Sequence, residues 1–147
     1  MRFFAVLFVG LLVASNLFAA DVKPEEQLKM RQGLMQAVKF QFGPVGAFAQ
    51  GKGPLPADAA DRAVNLAVVA KIMPLAWGKG GEDVKGSNTK AEAFTSAKFL
   101  DGFMTLGAAT DKLADAARSG NADAVKSAAG GIGKACKGCH DDFRKDD

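Results

Sequence analysis

The sequence predicts an all-α protein, an antiparallel four-helix bundle, and three observations predict it. After residue 20 the chain contains 23 Ala, seven Phe and one Trp, and the whole chain has two Ile and no Tyr. That composition favours helix and starves strands. Apolar residues recur three and four positions apart through four segments, the spacing that lines one face of a helix. Connections rich in glycine and proline separate the segments, and four amphipathic helices joined by shortish loops bury their faces by packing together.

Residues 1–20 are different material. Sixteen of them are apolar and Arg2 is their only charge. Met1-Arg2, the run from Phe3 to Val13 and the small pair Ala19-Ala20 match the three parts of a secretory signal peptide. The run is marginal for a membrane span, and no basic stop-transfer cluster follows it. The expectation is a cleaved signal peptide at 1–20, export to the periplasm, and a single domain at 21–147 that keeps no membrane attachment. Without Arg2 the basic count falls from 19 to 18 against 16 acids, so the formal net charge goes from +3 to +2. Such a balance excludes a nucleic-acid partner, which needs a concentrated basic stripe.

The first helix opens at Pro24, because proline suits the first helical position and Glu25 and Glu26 complement the positive end of the dipole. Leu28, Met35, Phe42 and Ala49 hold one heptad slot and Val38 and Val45 the other, which carries this helix to Ala49 with a kink expected at Gly43-Pro44. Gly51 to Pro56 is the first connection. The second helix is expected over Asp58 to Trp77 on the pattern Ala63, Leu66, Ala67, Ala70, Met73 and Trp77, with Pro74 bending its last turn. Residues 78–89 form the longest loop. Its Gly-Lys-Gly-Gly run lacks the spacing of a phosphate-binding loop and a preceding strand, so it reads as a plain flexible connection. A third helix is expected from Lys90, through Phe99, Phe103, Leu106, Thr110, Leu113 and Ala117, to a stop at Ser119-Gly120. Asn121 caps the fourth, whose inward face reads Val125, Ala129, Ile132, Cys136, Cys139 and Phe143.

The chemistry lies in Cys136-Lys137-Gly138-Cys139-His140, a C-x-x-C-H sequence. Its cysteines close too small a loop for a disulfide framework. Residues three and four apart share a helix face, so both thiols and the imidazole can meet one planar ligand. That is the arrangement of c-type haem attachment, in which the thiols bond two vinyl groups and the imidazole binds the iron. A zinc site would need two further Cys or His ligands, and the chain has no other Cys or His. A redox dithiol is expected on a strand-rich scaffold that this composition does not supply. One covalent haem c per subunit is therefore the expected cofactor.

His140 is the only histidine, which excludes a second imidazole at the iron and leaves the sixth position to a methionine or to nothing. The candidates are Met30, Met35, Met73 and Met104. Met35 alone lies on the seam of the first helix, and core packing is the plainer reading of each. Arg31 occupies the slot of Val38 and Val45. A guanidinium there needs an anion such as a haem propionate, or else snorkels to the bundle end, and the residues leave both readings open. Gln32 stands where it can donate to the same carboxylates.

The chain resembles the cytochromes c′ over essentially all of its length after residue 20. The resemblance is carried by Lys29-Met30-Arg31-Gln32-Gly33-Leu34-Met35, Pro74-Leu75-Ala76-Trp77, Thr89-Lys90-Ala91-Glu92-Ala93-Phe94, and Lys134-Ala135-Cys136-Lys137-Gly138-Cys139-His140-Asp141-Asp142-Phe143-Arg144. It implies a left-twisted four-helix bundle, usually a homodimer, with haem between the helices and His140 as the solvent-side iron ligand. It places Arg31, Gln32, Asn88 and Thr89 around the propionates, Met35 over the open face, Phe99 and Phe103 in the pocket, and Arg144 beside the proximal imidazole. The implied function is a five-coordinate, high-spin haem that binds nitric oxide and carbon monoxide, excludes larger or more polar ligands and also passes electrons to a partner protein. The alternative is a low-spin electron carrier with Met35 as sixth ligand. Nothing indicates an enzyme with a bound organic substrate. Phe40 and Phe48 fall off the seam of the first helix, and this apolar surplus points to a homodimer formed through that helix.

Overall fold

The computed structural model describes residues 22–78 and 80–146, and the expected signal peptide at 1–20 lies outside the described residues. Its helices are α1 (Pro24–Ala49), α2 (Ala59–Ile72), α3 (Ala97–Arg118) and α4 (Ala122–Phe143), and the described residues contain no strand. Both α1 and α3 pack extensively against α2 and α4. Each helix thus lies beside its neighbours in sequence, which is the four-helix bundle expected of helices joined by short connections. Val45, Leu66, Met73, Leu113, Val125 and Ile132 are fully buried at its centre.

The helix ends follow from local chemistry. Pro24 and the two acids start α1, and the Lys23 carbonyl accepts from the N–H groups of Glu26 and Gln27 at 2.9 Å each. Gly51, at φ 71°, ends it: its N–H donates to the Phe48 carbonyl at 2.9 Å and that of Lys52 reaches Ala47 at 2.8 Å. Between these ends α1 continues through Pro44. The missing N–H of Pro44 leaves the Phe40 carbonyl without its helical donor, and Arg62 of α2 supplies one from Nη1 at 3.0 Å.

Two boundaries differ from the sequence expectation. α2 stops at Ile72 rather than Trp77, and Met73–Ala76 tightens into a 3-10 turn. Pro74 cannot donate to a preceding carbonyl, so the last turn closes instead through Trp77 N–H to Pro74 at 3.2 Å. The third helix does not begin at Lys90. A 3-10 turn occupies Ala91–Phe94, and α3 starts at Ala97 after Ser96, which is extended. Thr95 and Ser96 are weak helix formers whose hydroxyls compete for backbone groups, and Thr95 Oγ1 donates to Glu92 at 3.4 Å. At α4 the Asn121 side chain accepts from the N–H groups of Asp123 and Ala124, both at 3.0 Å, as its sequence position predicts.

Candidate functional site

Helical spacing puts Cys136, Cys139 and His140 on one side of α4, and all three line a cavity of about 500 Å³. α1 forms one wall with Leu28, Arg31, Gln32, Met35 and Val38, and α3 forms another with Phe99, Gly102, Phe103 and Leu106. Met73 and Trp77 close it from the 3-10 turn that follows α2, Asn88 and Thr89 from the long loop, and Phe143 and Arg144 from the end of α4. Every site residue named from the sequence therefore reaches this one cavity. Of the four methionines, Met35 and Met73 line it, whereas Met30 and Met104 are exposed elsewhere.

Backbone pairing brings the loop to the site. Thr89 and Arg144 form an isolated antiparallel bridge. Beside it, Lys90 N–H donates to Phe143 and Lys145 N–H to Asn88, each at 2.8 Å. Asn88 and Thr89 are thereby fastened to the turn that follows His140. On the α3 wall, Gly102 faces Cys139, and a Cβ there would make ordinary contact with Sγ at 3.8 Å. Phe99 and Phe103 meet edge to face at 5.0 Å between centroids, and Trp77 tilts against both at 5.6 and 5.1 Å.

The thiols are free, and burial pushes the pKa of both upward. At Cys139 the neighbouring Cys136 and Asp142 raise it further. Reactive dithiols depend on the opposite shift, so this pair is not poised for disulfide exchange. His140 is exposed as a residue, yet desolvation from the cavity wall lowers its pKa; Arg144 lowers it further and Asp141 opposes both. The imidazole is therefore held in the neutral form that binds metals.

Arg31 does not snorkel. It is buried, with Nη1 and Nη2 donating to the carbonyls of Ala76 and Gly81 at long range, 3.3 and 3.4 Å. Its guanidinium lies over the rings of Phe94 and Trp77 at 5.2 and 5.8 Å. Burial lowers its pKa, and among the described residues no carboxylate pairs with it. Arg31 Nε and Trp77 Nε1 are both buried without an acceptor. Two orphaned donors beside one cavity mark a place for carboxylate oxygens, because leaving them unmet is costly.

The long loop is more than a plain flexible connection. A Cβ on Gly81 would come within 2.7 Å of Arg31 Nη1 and 2.9 Å of the Phe94 ring, and one on Gly78 within 3.1 Å of Gln27 Nε2. The glycines let the loop backbone close over Arg31 and Gln27. The sequence gives Gly81 only a place in the loop and Gln27 none, although Gln27 sits four residues before Arg31 on the same face. Gly81→Ala is expected to destabilise the protein by about 1–3 kcal/mol through overpacking. A denaturation midpoint lowered at constant slope would show it, and an unchanged midpoint would refute the crowding.

Comparison with known proteins decides the family: the Cytochrome C′ family model matches residues 26–144. The chain belongs to the cytochrome c′ family. It is 37% identical over 127 residues to the cytochrome c′ of Rubrivivax gelatinosus, covering 84% of this chain and 97% of the relative. Against the cytochrome c′ of Cereibacter sphaeroides it is 35% identical over 147 residues, covering 95% and 96%. Among solved structures, R. gelatinosus cytochrome c′ superposes with a TM-score of 0.77 at 34% identity, over 84% of this chain and 98% of that one. A nitric oxide complex of a variant from Alcaligenes xylosoxidans superposes with 0.76 at 28% identity, over 85% and 98%.

Cytochromes c′ carry covalently bound haem c, and the residues present here fit that group. The cavity lies within the size range of pockets that enclose small-molecule ligands. Arg31, Lys39 and Arg144 are the charged residues of its lining and none of the lining residues is acidic, which suits two propionates. Two neutral thiols and an imidazole stand together on one wall. Among the described residues no helix is long and apolar enough to cross a membrane.

Proposed function

We propose that this cytochrome c′ is a periplasmic haem protein that takes nitric oxide and carbon monoxide at an open iron position and also passes single electrons. Haem c, when bound, supplies an iron that exchanges one electron and accepts small gases. Cys136 and Cys139 would hold it through thioether bonds, His140 Nε2 would be its protein ligand, and Arg31, Gln32, Asn88 and Thr89 would bind its propionates. Phe99 and Phe103 would pack on its ring, with Arg144 beside the imidazole.

The observation that carries this reading is the composition of the walls away from α4. Leu28, Met35, Val38, Met73, Phe99, Phe103 and Leu106 form their apolar part, beside the polar Arg31, Gln32, Gln36, Lys39, Asn88 and Thr89, and Met35 and Met73 bring the only soft donor atoms among them. The apolar part admits uncharged diatomic gases and penalises polar or charged ligands, which lose hydration there without replacement hydrogen bonds. The nitric oxide complexes of Alcaligenes xylosoxidans cytochrome c′ support the same reading by likeness. An optical spectrum of the purified holoprotein is expected to be high-spin at rest and to respond to both gases. A low-spin resting spectrum that Met35→Ala turns high-spin would instead assign Met35 to the iron and make the protein a dedicated electron carrier.

Export rests on the N-terminal signal pattern, and homodimer formation on exposed apolar side chains. Phe40 on α1 is 68% exposed, while Val64, Val68 and Ile72 recur at four-residue spacing on the outer face of α2. Phe48 is different: it packs on the core beneath Lys126. The proposed interface therefore adds the α2 stripe to Phe40 of α1. Sedimentation at high micromolar concentration is expected to give a dimer, and a monomer would refute the interface.

A further inference from the structure

Proline inside a helix usually loosens it, because one carbonyl loses its donor and the ring crowds the preceding turn. In α1 that carbonyl belongs to Phe40, and Arg62 of α2 meets it. Nη1 donates to the Phe40 oxygen at 3.0 Å, while Nε of the same guanidinium donates at 2.8 Å to Asp58, the residue that precedes α2. The guanidinium also lies over the Phe40 ring at 5.4 Å. A lysine ammonium lacks this fixed fork of donors, so it would not satisfy carboxylate and carbonyl in the same geometry. Asp58 thus aims the arginine, and the arginine ties the weak point of α1 to α2.

That weak point adjoins the haem cavity. Gln36 and Lys39 line the cavity on one side and, with Phe40, Pro44 and Arg62, a surface groove on the other. Gln36 and Lys39, which stand between Met35 and Phe40 on α1, are therefore the wall shared by both. A change in the path of α1 at Phe40 moves Met35 relative to α4, since the intervening backbone is continuous helix.

Accordingly we infer that Arg62 is a positioning residue: by replacing the hydrogen bond that Pro44 removes, it holds α1 inward and keeps Met35 against the gas-binding face. This rests on the proposed function, in which Met35 obstructs that face. Without Arg62 the Phe40 carbonyl turns to water, α1 relaxes outward and the obstruction eases.

The test is a mutant cycle on the holoprotein, with carbon monoxide association measured by flash photolysis and amide exchange measured along α1. Arg62→Ala is expected to raise the association rate roughly fivefold, the scale of losing one such hydrogen bond, and to speed exchange around residues 40–44. Pro44→Ala restores the backbone donor without restoring the arginine. The double variant Arg62→Ala/Pro44→Ala is therefore expected to return to within about twofold of Pro44→Ala alone. That rescue would separate the helical tie from any effect of surface charge or subunit contact. If Met35→Ala accelerates association but Arg62→Ala does not, or if the double variant shows no rescue, the inference is overturned. If Met35→Ala itself changes nothing, the gating reading fails. The tie is then decided by amide exchange alone: faster exchange reversed by Pro44→Ala upholds it, and unchanged exchange overturns it.

Discussion

Met35→Ala is expected to accelerate carbon monoxide association by one to two orders of magnitude while leaving the resting spectrum high-spin. The side chain is half-buried on the α1 wall, and a gas approaching that wall must displace it. Moving a packed thioether costs about 2 kcal/mol, the scale of exposing or repacking one buried apolar side chain, which corresponds to roughly 30-fold in rate. The substitution should also admit somewhat bulkier ligands. If the spectrum of the parent protein is low-spin and Met35→Ala turns it high-spin, the sulfur is an iron ligand and the gas-binding assignment falls. Flash photolysis and an absorption spectrum of the two proteins decide it.

The second large effect concerns attachment. Replacing Cys136 and Cys139 together with serine is expected to abolish covalent haem, so that acid-acetone carries the colour away from a polypeptide of apoprotein mass. The parent protein should keep its colour and weigh one haem more. Loss of the bound group also removes its stabilisation of the folded state, which mass action sets at about 4 kcal/mol for a ligand a thousandfold above its dissociation constant and at more for a permanent one. The cavity is central enough for that loss to matter, because α1, α3, α4 and the 3-10 turn after α2 converge on it and Arg31 and Trp77 present unmet donors beside it. Colour that extracts from the parent protein would contradict attachment outright.

Much of the fold was legible because its signals are local. Asn121 caps α4 and Pro24 starts α1 for reasons contained within one turn of chain. Residues Val125, Ala129 and Ile132 are buried as the three-and-four spacing requires. The boundaries that moved did so where two local preferences compete: Pro74 against the end of α2, and Thr95-Ser96 against the start of α3. Spacing alone assigns a face to such residues without saying whether the backbone ladder survives among them.

By itself the sequence determined the helical class, the grouping of Cys136, Cys139 and His140 on one face, and the absence of a second imidazole, since each depends on residue identity and helical periodicity. Tertiary structure alone decided which partners meet across the bundle. It resolved Arg31 as a buried guanidinium rather than a snorkelling one, because its environment is made by Ala76, Gly81, Trp77 and Phe94 from distant parts of the chain. It also brought Met35 and Met73, which spacing had already placed on inward faces, to one cavity, and gave Gly81 and Arg62 roles that no local pattern records. Hydrophobic periodicity specifies how a helix faces the core, whereas a cavity is defined by which other helices supply its remaining walls.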